Sequence, residues 1–145
     1  MLVRRGFSLI EIVVVTGLSL LILVGVVIFT IRFMKNRVLE ASAQIMVSDL
    51  RTAQTRAVHS EGNTGQGVSR ANGQIALFRG ASYASRQTAY DTVWPYPSYI
   101  QFSGLTEIIF AKQTGLPVAS GAFTITNGDN TVIITVYPTG TVFKQ

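Results

Sequence analysis

Residues Ile12 to Ile31 form a 20-residue run without a charge, and between Phe7 and Ile31 the only charged side chain is Glu11. As a helix, rising about 1.5 Å per residue, that run is roughly 30 Å long, which matches the hydrocarbon core of a bilayer. Its Val and Ile content favours strands, but strands in globular proteins rarely exceed about ten residues. A membrane-spanning helix is therefore expected. A secretory signal peptide is the rival reading, with an apolar stretch of about 7–15 residues ending at small residues. Gly17 and Ser19 supply small residues, but this run is longer and flows into a helical pattern. Charge alone does not orient the span, because Arg4 and Arg5 precede it while Arg32, Lys35 and Arg37 follow it.

The remainder is enough for one small domain beside that anchor. The chain has 145 residues and a net charge of +5, with 48% hydrophobic and only 13% charged residues. A soluble domain carries about 25% charged residues, and a disordered chain or nucleic-acid tail would be less apolar still. The absence of cysteine excludes disulfides, thiolate metal sites and a cysteine nucleophile. His59 is the only histidine, so most histidine-based catalytic and metal sites are excluded, and near a helix end it is expected to cap or meet solvent. Asp91, Glu107 and Asp129 are too scattered in sequence to nominate as a carboxylate pair. Gly65-Gln66-Gly67 lacks the third Gly and the Lys-Ser/Thr of a phosphate loop, and is expected to be a helix-to-sheet loop. No catalytic residue, metal ion or cofactor is expected, and the chain is not expected to be an enzyme.

Proline is absent before Pro95, and only Gly6, Gly17 and Gly25 interrupt the first 61 residues. The chain therefore divides near Gly62 into a helical and a turn-rich part. Beyond the apolar run, Leu39, Ala43, Met46, Leu50, Ala53 and Ala57 make one apolar stripe. Arg37, Gln44, Ser48, Arg51, Thr55 and His59 occupy the opposite face, for solvent or neighbouring subunits. Gly62 is the expected helix stop. Strands are expected at Gln74–Arg79, Ser98–Ser103, Glu107–Ala111, Ala122–Thr126, Thr131–Tyr137 and Thr141–Lys144. Asn127-Gly128-Asp129-Asn130 and Tyr137-Pro138-Thr139-Gly140 are turns between antiparallel strands, the second fitting type I. The fold class expected is α+β: a long N-terminal helix, half transmembrane and half amphipathic, packed on a C-terminal antiparallel sheet domain.

The N-terminus reads Met1-Leu2-Val3-Arg4-Arg5-Gly6-Phe7-Ser8-Leu9-Ile10-Glu11. A short basic leader ends in Gly, an aromatic residue follows, and a carboxylate sits inside an apolar helix, where insertion costs about 2.5–3.5 kcal/mol. This resembles the class III signal of type IV prepilins and pseudopilins. The resemblance implies cleavage between Gly6 and Phe7 by a prepilin peptidase, N-methylation of Phe7, a cytoplasmic N-terminus and an assembly role for Glu11. It also implies a division into a leader (1–6), a transmembrane and assembly helix (7–31), an amphipathic continuation (32–61) and a β-rich part (62–145). The stretch Asp49-Leu50-Arg51-Thr52-Ala53-Gln54-Thr55-Arg56-Ala57-Val58, and the later run from Tyr99-Ile100-Gln101-Phe102 through Thr114-Gly115-Leu116-Pro117, are similar to H-type minor pseudopilins and FimT-like minor pilins. Ile28 stands where major pilins carry a helix-breaking proline. With no C-terminal cysteine pair or acidic calcium loop, this points to a minor subunit.

The partners this implies are the prepilin peptidase, other pilin subunits, an inner-membrane assembly platform and the lipid bilayer. The machine is left open among secretion, motility and competence systems. The alternative is a DNA-binding minor pilin of DNA uptake, for which Arg70, Arg79, Arg86 and Lys112 are the candidate contacts. The tail Gly140-Thr141-Val142-Phe143-Lys144-Gln145 holds one cation and no arginine, unlike the basic tails of DNA-receptor pilins. A single-pass enzyme or receptor is the third class, and the residue inventory offers it no catalytic set. Trp94-Pro95-Tyr96-Pro97-Ser98-Tyr99 is expected to be an aromatic loop pinned on the sheet, with a subunit or substrate contact as the other reading.

Overall fold

A computed structural model describes residues 8–145. One helix, α1 (Leu9–Val58, 50 residues), is followed by eight strands: β1 (Gln66–Ala71), β2 (Gln74–Arg79), β3 (Thr92–Pro95), β4 (Gln101–Gly104), β5 (Glu107–Phe110), β6 (Gly121–Thr126), β7 (Thr131–Val136) and β8 (Val142–Lys144). The fold is α+β, as expected. The strands form two antiparallel sheets of four, ordered β3-β2-β1-β5 and β4-β6-β7-β8.

By its contacts the chain divides into two units, residues 1–35 and 36–145. Within the first, the described part of α1 is unburied throughout; Leu9, Leu21 and Phe29 each expose more than two thirds of their surface. The 18-residue apolar window in this helix is long and apolar enough to cross a membrane, and none of it is buried. Thr16 and Thr30 donate their hydroxyls to the carbonyls of Ile12 and Val26, each at 2.8 Å, so these polar side chains are satisfied within the helix.

In the second unit the apolar stripe is the core. Leu39, Ala43, Met46, Leu50, Ala53 and Ala57 are all buried, in one cluster with Val68, Ile75, Leu77, Ile108 and Phe110 of the first sheet and Phe123, Ile125, Ile134 and Val136 of the second. Burying each large side chain contributes about 1.5–3 kcal/mol. Arg37, Gln44, Ser48, Arg51, Thr55 and His59 are exposed, so the period of 3.6 sorts the two faces as the sequence does. The helix stops earlier than Gly62. Ser60 already adopts a left-handed φ of 55°, and Gly62 follows with φ 66° inside a short 3-10 turn.

Two strands stand where loops were expected. β1 begins inside the Gly65-Gln66-Gly67 segment, and its first four residues are all buried, so no alternation betrays it. Both faces of the first sheet are covered there: α1 and the second sheet share a core with one face, while the loop after β2 folds over the other and sets Tyr83 edge-on against Phe78 at 5.6 Å. Gly67 lets this happen, since a Cβ there would lie 2.6 Å from the Phe78 ring and from the Ile108 carbonyl. β3 lies on the sheet edge, where its proline is tolerated. The strand expected at Ser98–Ser103 begins only at Gln101. Both turns form. Gly140 N–H donates to Tyr137 O at 2.8 Å, and Asn127 Oδ1 accepts from the N–H groups of Asp129 and Asn130 at 3.0 and 2.8 Å. The side-chain amides of Asn127 and Asn130 both donate to Asn36 Oδ1 at 2.8 Å, tying that turn to the helix.

Candidate functional site

Gly6 and Phe7 lie outside the described residues. Glu11 lies in the first turn of α1, exposed, beside Ile12, Val15 and Thr16. Its backbone N–H bonds to Ser8 O at 3.1 Å, and its carboxylate has no partner among the described residues. Among the described residues, the helix therefore presents an unpaired carboxylate on an apolar, unburied surface.

The four cations nominated for DNA are each engaged within the fold. Arg70 donates Nε to Leu105 O at 2.5 Å, Nη1 to Phe102 O at 3.1 Å and Nη2 to Gly104 O at 3.0 Å, clamping the two sheets together. Arg79 stacks over Tyr90, 4.1 Å from its centroid, and lies 3.9 Å from Glu61. Arg86 pairs with Asp91 at 2.6 Å, donates to Tyr83 O at 2.8 Å and stacks over the Tyr83 ring. Its hydrogen bond to Asp91 raises its pKa further above the ordinary guanidinium value. Lys112 donates to Asn63 Oδ1 at 2.9 Å. Arg79 and Arg86 flank the same loop after β2.

The aromatic segment is part strand, not all loop: Trp94 and Pro95 end β3 on the sheet edge, and the stretch from Tyr96 to Tyr99 is the loop that follows. Trp94 is opposite Ile75 in β3, and Tyr96 packs against Phe102 with ring centroids 4.5 Å apart. Burial raises the Tyr96 phenol above its usual value, opposed by the nearby Arg70 charge. His59 is exposed just past the helix end. Among the described residues, no three His, Asp or Glu side chains converge to hold a metal ion.

Asp49 was not singled out by the sequence reading. It lies on α1 only 8% exposed, and its Oδ2 is buried without a hydrogen-bond partner. Burial pushes its carboxyl up to about 6, opposed by the Arg56 charge and by a hydrogen bond with the Trp94 side chain. The available signal was spacing. Ser42, Asp49 and Arg56 recur every seven residues, a polar line beside the apolar stripe, and the first two are buried. With the fold and these sites defined, comparison with known proteins gives no match to a family model, a curated protein or a solved structure.

Proposed function

We propose that this chain is a minor type IV pilin or pseudopilin, a structural subunit processed by a prepilin peptidase and assembled into a pilus, pseudopilus or filament tip. The observation that carries the reading is the double character of α1. One continuous helix holds an unburied apolar stretch bearing Glu11 and, further on, the buried stripe of an α+β domain. The Arg4-Arg5-Gly6-Phe7 junction just before it supplies the processing signal. In this reading the subunit waits in the inner membrane with its N-terminus inside, then leaves the bilayer to pack against other subunits in a periplasmic or surface filament. Cleavage creates an N-methyl amine at Phe7, and in a low-dielectric filament core that cation and the Glu11 carboxylate each require a counter-ion. The DNA-uptake alternative draws less support, because Arg70, Arg79, Arg86 and Lys112 are already committed within the fold.

Coexpression with a prepilin peptidase, followed by intact mass spectrometry of the membrane-extracted chain, tests the reading. The expected product lacks Met1–Gly6 and carries one added methyl group. Gly6→Ala should still be cut and Gly6→Val poorly, because a bulky residue obstructs the scissile bond. A product that keeps the leader, or one cut after Ser19, overturns the proposal.

A further inference from the structure

Among the described residues, two four-stranded sheets present four edges, and three of them are covered or interrupted. On the first sheet, the β3 edge turns Val93 and Pro95 outward, as the bond from Tyr96 N–H to Gly73 O and the pairing of Trp94 with Ile75 require, and Pro95 has no N–H to offer. The opposite edge, β5, is covered by the following segment, where Val118 N–H donates to Ile109 O at 2.8 Å and Pro117 bridges Phe110. On the second sheet, β4 turns Phe102 and Gly104 outward, and Arg70 caps both carbonyls.

The fourth edge, β8, is open. Gln145 and Ile133 exchange both backbone hydrogen bonds, at 2.8 and 3.0 Å, and Tyr137 N–H bonds to Thr141 O at 3.0 Å. The alternation of an antiparallel ladder then points the N–H and C=O groups of Val142 and Lys144 away from β7. They have no partner among the described residues. Beside this strand runs a groove of about 610 Å³, lined by Gln44, Ser48, Arg51 and Thr55 of the exposed face of α1 and by Lys144 of β8. Lys144 is paired with Glu40, and Arg56, also on the groove, lies 3.5 Å from Glu61. Arg51 is exposed and has no ion pair among the described residues.

We propose that the β8 edge accepts an extended segment of a partner protein as a fifth strand, with a carboxylate of that segment meeting Arg51. Main-chain bonds to Val142 and Lys144 would supply affinity, and the groove beside them the side-chain preference. Charge argues against a second copy of β8 as the occupant, because edge-to-edge pairing would bring Lys144 and Arg51 of one copy toward those of the other. The inference stands independently of the assembly reading, since it rests only on the domain from Asn36 onward.

The test uses the full chain in detergent micelles and fluorescence anisotropy with labelled eight-residue peptides of alternating threonine and valine. One peptide carries a central glutamate and another a central lysine, while a third repeats the glutamate sequence with four consecutive backbone amides N-methylated. The glutamate peptide should bind saturably, about tenfold or more tighter than the lysine peptide, and Arg51→Glu should reverse that preference. Methylation should abolish binding, because it removes the strand donors. Val142→Pro removes an outward N–H while leaving the Phe143 ladder bonds in place, and should lose binding with an unchanged circular dichroism spectrum. If Val142→Pro unfolds, Arg51→Glu and the methylated peptide still decide the matter. No saturable binding, or equal binding of the methylated peptide, overturns the proposal. So does self-association that Val142→Pro abolishes, which would seat a second copy on the edge. Binding of a DNA duplex that Arg51→Glu abolishes would assign the groove to nucleic acid and overturn it too.

Discussion

The two stretches of α1 contrast. From Leu9 to Met34 every described side chain is exposed whatever its chemistry, while from Leu39 to Ala57 one face is buried, the apolar stripe with Ser42 and Asp49 beside it, and the opposite polar face is exposed. The difference lies in sequence period, not in helix propensity. The first stretch is apolar all round and has no polar face to give to water; the second is apolar on one side and needs only a sheet to cover it. One element thus carries two kinds of surface, the first long and apolar enough to cross a membrane, and stability of the domain and partition into lipid should respond to different substitutions.

The sharpest way to break this contrast is a charge in each stretch. Met46→Asp or Leu50→Asp buries an unpaired carboxylate in the core and should cost about 3–5 kcal/mol, enough to unfold the domain. Circular dichroism of the detergent-solubilised chain reads this, and membrane association should persist. Leu20→Asp should do the reverse, leaving the domain's melting unchanged while insertion falls by about 2.5–3.5 kcal/mol, read by membrane fractionation. Two mutants with interchangeable effects would mean that the stretches do not differ as described.

Glu11→Ala sharpens the contrast from the other side. It removes a carboxylate that is costly in lipid, so membrane levels should stay equal or rise, and domain stability should not change. On the assembly reading, incorporation into sheared filaments should fall because the Phe7 amine is left unpaired, with Glu11→Gln intermediate. Normal incorporation of Glu11→Ala would remove this residue from assembly.

Asp49 tests the second stretch alone. Its folded pKa, about 6, lies above the ordinary 3.8, so the folded state holds its proton more tightly than the unfolded state does. Its contribution therefore favours folding at low pH and is lost as pH rises from about 4 to 6. Asp49→Asn should stabilise the chain at pH 7 by on the order of 2 kcal/mol and have little effect at pH 4. Trp94, the only tryptophan, bonds to this carboxylate, so its emission should titrate with a midpoint near 6 in the parent and not in Asp49→Asn. The smallest effect is expected at Lys144→Ala. That pair with Glu40 is solvent-exposed, so the loss should be about 0.2–1 kcal/mol in thermal unfolding.

These contrasts also explain what was legible beforehand. The helix, its core stripe and the hairpin from Ala122 to Val136 follow from periodicity and turn chemistry, signals carried by adjacent residues. β1 escaped because a strand covered on both faces does not alternate, and Gln66-Gly67 reads as a loop when the Phe78 ring that needs the space is still unknown. β3 escaped because its proline suits only an edge, and edge position is a property of the assembled sheet. The site was less legible than the fold. Arg70 reads as a surface cation, whereas its guanidinium holds three carbonyls 32 to 35 residues away. Asp49 reads as an ordinary helix carboxylate until a partner 45 residues later closes over it.

The position of the core stripe has a consequence for the order of events at the ribosome. Leu39 to Ala57 are made before any of the eight strands that cover them, so the helix emerges with an adhesive side and nothing to adhere to. Helices form within about a microsecond, while synthesis adds roughly 5–20 residues each second, so this interval lasts for seconds. Insertion of the apolar stretch just upstream into a bilayer, for which it is long and apolar enough, would keep the waiting stripe tethered at a surface and apart from other nascent chains.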